Sequence, residues 1–175
     1  MRRTDTDRGF TLIELLLVVA IIGVLASIAG TRMIRARTAA SEASAVASLR
    51  VINSSETSYS SSCGAGAYAI DLADLAKPPA GAVVAFISPD LSTNGVRKSG
   101  YEFVVERNAA PETADSTGGT CNAASGTPAS GYHASAVPID NSGGRYFGTD
   151  KAGTIYQDGT TALANPIPGT ATVFR

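Results

Sequence analysis

The sequence predicts an α+β protein, with one long N-terminal α-helix packed on a small antiparallel β-sheet head. The stretch from Phe10 to Ala29 contains 16 apolar residues in 20, which is typical of a buried or membrane-embedded helix. All eight prolines and 15 of the 18 glycines follow Cys63. Because proline and glycine are unfavourable inside helices, this asymmetry divides the chain into a helical N-terminal part and a turn-rich head.

The first part of the predicted helix has the composition of a membrane span. From Leu15 to Thr31, 17 residues carry no charge, and a helix of that length covers about 26 Å, close to the minimum for a bilayer. Three arginines precede this segment and three follow it: Arg2, Arg3, Arg8, Arg32, Arg35 and Arg37. Since the two flanks balance, charge counting does not orient the span.

A cleaved secretory signal and a plain transmembrane anchor are the two ordinary alternatives for this segment. The run Ser27-Ile28-Ala29 has the small residues of a signal cleavage site. Glu14 distinguishes this segment from an ordinary signal or anchor, because it is an acid at the fifth position of the apolar stretch that begins at Phe10. A carboxylate in hydrocarbon costs several kcal/mol unless it is paired, so we expect Glu14 to have a cationic partner.

The residues around Glu14 resemble the class III N-terminal signal of type IV pilins and of the related pseudopilins. The matching run is Arg8-Gly9-Phe10-Thr11-Leu12-Ile13-Glu14-Leu15-Leu16. The resemblance implies that a prepilin peptidase cleaves between Gly9 and Phe10 and N-methylates Phe10. It assigns filament assembly to Phe10, Thr11 and Glu14. The carboxylate of Glu14 on one subunit can neutralise the new amino group of Phe10 on a neighbour.

The resemblance also implies the domain boundaries of a type IV pilin-like fold. Residues 1–9 would be a leader peptide, residues 10–62 the N-terminal pilin helix, and residues 63–175 a globular β-rich head. Residues 10–30 of that helix would form the membrane segment and the filament core. Many pilins have a helix-bending proline near the end of the apolar segment, whereas this chain has none before Pro78. Loosening of the helix during assembly would therefore have to use Gly23 and Gly30.

The helix is expected to continue beyond the membrane segment, because Thr31 to Ser60 contains neither proline nor glycine. Apolar residues at helical spacing form a stripe there that we expect to cover the sheet: Ala45, Leu49, Ile52 and Tyr59, with Glu56 as the polar exception. The opposite face carries small residues: Ala36, Ala40, Ala43 and Ala47. These alanines either face solvent or pack against other helices of a filament.

Turn residues and short apolar runs predict the elements of the head. The run Ser60–Gly66 should end the long helix, since glycine tolerates a left-handed cap, and Ile70–Leu75 should form a short helix stopped by Pro78-Pro79. Five strand candidates follow: Val83–Ile87, Tyr101–Glu106, Tyr132–Val137, Arg145–Thr149 and Thr154–Gln157. The residues of a hairpin turn, Asp150–Gly153, join the last two. We therefore expect three to four antiparallel strands.

The segment from Asn108 to Gly131 is rich in Ala, Gly, Ser, Thr and Pro, so we expect an exposed, variable loop. Cys121 lies in this loop, and Cys63 lies directly after the helix. Because the resemblance implies export to an oxidising compartment, we expect one disulfide between them, closing about 59 residues and contributing about 4 kcal/mol. The single histidine, His133, is expected to be an ordinary strand residue.

We expect no cofactor and no metal, with calcium at Asp140, Asp150 and Asp158 as the alternative. These aspartates lie near the predicted hairpin, in the general region where major secretion pseudopilins bind calcium, and carboxylates are suitable calcium ligands. Aspartate is also common in ordinary turns, so both interpretations remain open. One histidine and two cysteines do not make a four-ligand zinc site.

Charge and motif content argue against several other function classes. The formal net charge is -1 and the head has no basic stripe, so nucleic-acid binding by phosphate neutralisation is not expected. The sequence contains no glycine-rich phosphate loop, no G-x-S-x-G elbow and no H-E-x-x-H helix. We therefore expect a protein that is not an enzyme.

With the resemblance, these observations predict a structural subunit of a type IV pilus or pilus-like filament, which polymerises through its N-terminal helix. The nearest alternative is a type II secretion pseudopilin, and a signal-anchored exported binding module or enzyme is more distant. The implied partners are the prepilin peptidase, the inner-membrane assembly platform with its ATPase, the membrane before assembly, and copies of the chain in a helical filament. The implied location is the bacterial inner membrane, followed by the cell surface, or the periplasm for a pseudopilin.

Overall fold

The computed structural model describes residues 9–139 and 144–175. The chain divides into two units, one of residues up to Arg37 and the other from Thr38 to Arg175. Helix α1 (Leu12–Ser62) begins in the first unit and ends in the second. It is followed by a short helix, a 3₁₀ turn (Pro89–Leu91) and an antiparallel sheet, so the predicted α+β fold class is confirmed.

Within the second unit, α1 buries the face that its sequence periodicity predicts. Ala45, Leu49, Ile52 and Tyr59 have no solvent exposure, and Glu56 on the same stripe is equally buried. The small residues of the opposite face are exposed: Ala40, Ala43 and Ala47 in this unit, and Ala36 in the first unit. One face of α1 is therefore part of the core of the head, while the alanine face is uncovered in the single chain.

Helix α1 ends at Ser62, within the run predicted to stop it. The N–H of Gly64 donates to the carbonyl oxygen of Tyr59 at 2.8 Å and closes the last turn. The left-handed backbone lies at Ala65 (φ 52°) and Gly66 (φ 90°). The left-handed residues of the cap are therefore Ala65 and Gly66, which follow Gly64, the first glycine of the run.

Helix α2 (Leu72–Leu75) lies within the predicted short helix. Asp71 is its N-cap residue, since the Asp71 carboxylate accepts a hydrogen bond from the N–H of Ala73 at 2.7 Å. Leu72 and Leu75 are fully buried. The helix ends before Pro78-Pro79, in agreement with the predicted helix breaker.

Within the described residues, the head contains one six-stranded antiparallel sheet, in which strands that follow each other in sequence are also neighbours in space. Its strands are β1 (Val96–Lys98), β2 (Tyr101–Arg107), β3 (Tyr132–Pro138), β4 (Tyr146–Asp150), β5 (Ile155–Asp158) and β6 (Thr172–Val173). Tyr101, Phe103 and Val105 alternate with more exposed residues along β2, as expected for a strand with one buried face. That face, the stripe of α1 and the leucines of α2 belong to one apolar core.

Two predictions about the sheet are wrong. The described part of the chain forms six strands rather than three or four, because β1 and β6 are strands of three and two residues that form by pairing with β2 and β5. The predicted strand Val83–Ile87 is not a strand: Val83 is 96% exposed, and Ile87 is the residue of this run that is buried. A short apolar run without alternation does not by itself indicate a strand.

Candidate functional site

The N-terminal end of α1 brings Thr11 and Glu14 together. Thr11 directly precedes the helix, and Glu14 lies in its first turn. The N–H of Glu14 donates to Thr11 Oγ1 at 3.3 Å, and the Thr11 hydroxyl donates to Glu14 Oε2, also at 3.3 Å. This is the geometry of a helix cap, with an acid near the positive end of the helix dipole. The Thr-x-x-Glu spacing is itself a sequence signal for this cap, independent of the pilin resemblance.

The apolar residues that begin at Phe10 are exposed. Phe10 is 80% exposed and Leu12 is 81% exposed, and large apolar side chains remain exposed as far as Ile28. Among the described residues, one helix, α1, contains a stretch long and apolar enough to cross a membrane by length and composition, with a mean hydropathy of 2.8. Because exposing this much apolar surface to water is unfavourable, this part of the chain requires a lipid or protein environment.

Asp74 anchors the loop predicted for Asn108–Gly131. Its side chain is 2% exposed, and its Oδ1 accepts hydrogen bonds from Ser125 N–H at 2.7 Å and from Lys77 Nζ at 3.2 Å. Asp74 Oδ2 accepts a further bond from Gly126 N–H at 3.1 Å. Burial alone raises the pKa of Asp74, but these hydrogen bonds outweigh burial and lower the pKa below its ordinary value. No spacing in the sequence indicates this anchor, because the two loop amides that Asp74 binds, those of Ser125 and Gly126, lie about 50 residues away.

A disulfide between Cys63 and Cys121 ties the same loop to the end of α1. The neighbouring Asn122 donates through Nδ2 to the carbonyl oxygens of Asp74 at 2.7 Å and Lys77 at 3.0 Å. The Asp74 carbonyl lies in α2 and the Lys77 carbonyl lies two residues beyond its end, so Asn122 binds at the C-terminal end of this helix. Half of the 24 residues of the loop are exposed, so the prediction of an exposed loop holds only in part, and these contacts hold the loop on the head.

Glu56 is buried without a charge partner in the described part of the chain. Its side chain is fully buried, its Oε2 accepts a hydrogen bond from Ala69 N–H at 2.9 Å, and its Oε1 has no hydrogen-bond partner there. Burial is the largest effect on the pKa of Glu56 and raises it well above the ordinary glutamate value. The hydrogen bond from Ala69 opposes this effect, and the charge of Asp74 adds to it. The site therefore favours the protonated, neutral form of Glu56.

His133 lies on β3, as expected. Its side chain is 3% exposed, its Nδ1 is 3.2 Å from Glu106 Oε1, and its Nε2 has no hydrogen-bond partner within the described residues. Burial lowers the pKa of His133, and Glu106 offsets only part of that effect. The residue is therefore a buried, neutral strand residue near neutral pH.

The calcium candidates that the structure describes lie at opposite ends of the β4–β5 hairpin. Asp150 is at the turn, where its Oδ1 accepts a hydrogen bond from Ala152 N–H at 2.9 Å. Asp158 is at the far end of β5, and its Oδ1 accepts one from Thr160 N–H at 2.7 Å. Asp140 lies outside the described residues. In residues 9–139 and 144–175, no group of three or more His, Cys, Asp or Glu side chains is placed to hold a metal ion.

An open cleft of about 620 Å³ lies beside the apolar run that was predicted to be a strand. Its walls are mainly apolar and include Pro78, Val83, Val84, Phe86 and Pro89. No titratable side chain lines this cleft in the described structure, so it offers no acid, base or charged nucleophile for chemistry.

Comparison with known proteins supports the N-terminal signal. A family model described as the prokaryotic N-terminal methylation motif matches residues 5–30. This range contains Gly9, Phe10, Thr11 and Glu14, the residues on which the resemblance to pilins depends. No curated protein and no solved structure matches the chain. Residues 5–30 therefore carry a prokaryotic N-terminal methylation motif, which supports a class III signal of the kind found in prepilins and pseudopilins.

Proposed function

We propose that the chain is a structural subunit of a type IV pilus or pilus-like filament. It would polymerise through α1 after a prepilin peptidase cleaves between Gly9 and Phe10. The methylation motif at residues 5–30, at the start of a helix with exposed apolar residues, is the observation that carries this proposal. The proposed role is mechanical, and it requires neither catalysis nor nucleic-acid binding.

Burial of the apolar part of α1 would supply the free energy of assembly. Each large side chain contributes about 1.5–3 kcal/mol when it moves from water into an apolar environment. Before assembly, the lipid bilayer would provide that environment, which fits a membrane-anchored precursor. Repeating one head-to-tail contact between identical subunits generates an open helical filament.

Glu14 would set the register between subunits. In the single chain its carboxylate contacts the hydroxyl of Thr11, and no lysine or arginine among the described residues pairs with it. Cleavage after Gly9 would create an amino group on Phe10, and a methyl group on that amine would preserve its positive charge. Since unpaired charges are costly in a helix bundle without water, only registers that bring this amine to the Glu14 of a neighbour would be favourable.

The proposal places the precursor in the bacterial inner membrane and the mature subunit in a filament at the cell surface. Its partners would be the prepilin peptidase and the inner-membrane assembly platform with its ATPase. A type II secretion pseudopilin would share the N-terminal signal, but its filament would be short and periplasmic. Processing and filament location are therefore tested separately.

Mass spectrometry of the mature N-terminus tests the processing step. We expect a chain that begins at Phe10 and carries one added methyl group. Gly9→Val is the matched control, because a Cβ at Gly9 meets no atom of the chain within 4 Å and the substitution therefore reports on the peptidase. We expect this variant to keep its leader. A wild-type chain that begins at Gly30 would contradict the proposal.

Filament yield tests the role of Glu14. Glu14→Leu should insert into the membrane and be cleaved, but its incorporation into filaments should fall by at least about tenfold if the lost charge pair is worth more than 1.4 kcal/mol. Ser27→Ala is a control within the same helix, since Ser27 is exposed and its hydroxyl donates to the carbonyl of Val24. Normal surface filaments from a strain carrying only Glu14→Leu would contradict the assigned role. Wild-type filaments found solely in the periplasm would identify the pseudopilin alternative.

A further inference from the structure

Three arginines form a collar on α1 directly after the uncharged stretch Leu15–Thr31. The collar consists of Arg32, Arg35 and Arg37, and all three side chains are exposed. None of them forms an ion pair with an acidic side chain in the described part of the chain. The collar therefore carries three positive charges that no acidic side chain of residues 9–139 and 144–175 neutralises by an ion pair.

The dimensions of the collar match the headgroup layer of a bilayer. The 17 uncharged residues before it cover about 26 Å of helix, most of a hydrocarbon core of about 30 Å. The collar extends about 7.5 Å along the helix axis, from Arg32 to Arg37. The polar layer on each side of the core is about 5–8 Å thick. When the uncharged stretch spans the core, the arginines therefore lie at the level of the lipid phosphates.

The distribution of the arginines around the helix favours a lipid environment over a protein partner. At about 100° per residue, the three positions spread over about 200° of the circumference. Met33 and Ile34 lie between them and are 58% and 67% exposed. A protein that docks on one side of the helix would leave part of this ring uncovered. A lipid layer surrounds the helix, binds guanidinium groups through phosphates and accommodates apolar side chains at the acyl boundary.

We propose that the arginine collar binds the headgroups of anionic phospholipids and holds the unassembled subunit at a defined depth in the membrane. Each guanidinium presents parallel N–H donors that match the oxygen atoms of a phosphate group. A surface of anionic lipid also attracts cations placed next to a membrane span. The inference rests on the membrane-spanning stretch and not on polymerisation, so it is tested before assembly.

The test uses the full-length chain in bilayers of equimolar phosphatidylglycerol and phosphatidylcholine. Spin-labelled phosphatidylglycerol or phosphatidylcholine serves as the probe, and electron paramagnetic resonance gives the relative association of each lipid with the protein. We expect wild type to prefer phosphatidylglycerol at about 0.1 M salt and to lose most of this preference at about 1 M salt, where charges are screened. The triple variant Arg32→Gln, Arg35→Gln, Arg37→Gln should lower the preference about two- to fivefold. Arg2, Arg3 and Arg8 precede the span and remain in both chains, so some preference should persist.

A control variant with the same change in net charge separates the collar from charge in general. It carries Arg50→Gln, Lys151→Gln and Arg175→Gln, three exposed positions outside the collar, and it should keep the wild-type preference. Peptide mapping of the Cys63–Cys121 disulfide verifies that the head of each variant has folded.

Three results would overturn the proposal. The first is an equal lipid preference in wild type and the collar variant, and the second is an equal loss in the control variant. The third is displacement of the labelled lipid by about 10 mM inorganic phosphate at constant ionic strength, which would indicate a site for free phosphate. If the first result were combined with failed filament incorporation, the collar would belong to a subunit interface. Failure of assembly alone would affect the proposed function and leave the lipid result intact.

Discussion

Arg145 forms a bidentate ion pair with Glu42, 103 residues away, and so joins the start of β4 to α1. Arg145 Nη2 lies 2.6 Å from Glu42 Oε2, and Arg145 Nε lies 3.2 Å from Glu42 Oε1. The guanidinium also lies 5.6 Å from the ring centroids of Phe147 and Phe174. Hydrogen bonding within the pair lowers the pKa of Glu42 and raises that of Arg145. A single arginine thus connects the helix, the strand and the C-terminal segment of the head.

Breaking this pair should destabilise the head by about 1–2 kcal/mol, since hydrogen bonds between charged groups are strong but Arg145 is 40% exposed and partly screened. Chemical unfolding of Arg145→Gln, Glu42→Gln and the double variant should give a coupling energy of about 1 kcal/mol. Arg97→Gln is the control, because the pair of Arg97 and Glu102 is 66% and 39% exposed and should contribute less than about 0.5 kcal/mol. A coupling energy of zero would refute a stabilising role for the Arg145 pair.

Asp74→Ala should release the loop and destabilise the head by about 2–4 kcal/mol, because the N–H groups of Ser125 and Gly126 lose a buried charged acceptor. Hydrogen exchange at these two amides should become faster, while Asp115→Ala, at a residue whose side chain is 64% exposed, should leave them protected. Equal protection in wild type and Asp74→Ala would show that Asp74 is not the anchor.

The lowered pKa of Asp74 predicts that the head loses stability in acid. The pKa of Asp74 is lower in the folded chain than its ordinary value of 3.8, so its ionised form stabilises the fold above that value. This contribution is lost as the pH falls from about 4 through the folded pKa. Unfolding free energies measured at pH 5 and below should therefore decrease more steeply in wild type than in Asp74→Ala.

The raised pKa of Glu56 predicts that the stability of the head depends on pH in the opposite direction. Its pKa is higher in the folded chain than the ordinary value of 4.5, so the unfolded chain ionises first and the fold loses stability as the pH rises from about 4.5 through the folded pKa. Glu56→Gln keeps the shape and an oxygen for Ala69 N–H but does not ionise. The variant should therefore be more stable than wild type at pH 8, and the difference should disappear towards pH 4.5.

Unfolding of both chains across this pH range measures that difference. The lowered pKa of His133 acts in the opposite sense below about pH 6.5, but it is common to both chains and cancels. Glu112→Gln, at an exposed position, should follow the wild-type curve. Parallel curves for wild type and Glu56→Gln would contradict a neutral, buried Glu56.

Gly64→Ala should destabilise the end of α1 by more than about 2 kcal/mol. A Cβ at this position would lie 2.2 Å from the carbonyl oxygen of Ala67 and 2.8 Å from Tyr59 Cε1, so the backbone would have to move. Gly119→Ala is the matched control, since a Cβ at Gly119 meets nothing within 4 Å, and it should change stability by less than about 0.5 kcal/mol. Similar melting temperatures for the two variants would show that the turn adapts.

Features that depend on neighbouring residues are already visible in the sequence. The signal around Gly9 and Glu14 is contiguous, so it is recognisable without a fold. The stripe of Ala45, Leu49 and Ile52 is visible because a helix repeats every 3.6 residues, whatever packs against it. With two cysteines in the chain, the Cys63–Cys121 pairing was also the one intramolecular disulfide available.

Features that depend on partners distant in sequence become visible once the chain is folded. Strands β1 and β6 are too short to be recognised locally and exist because β2 and β5 offer them a paired edge. Val83–Ile87 has the residues of a strand but pairs with none of the strands that the structure describes. Asp74 is an anchor because the loop returns to it, and Glu56 favours its neutral form because the fold removes water and supplies no cation among the described residues. Pairing and burial are properties of two surfaces in contact, and a local pattern describes only one of them.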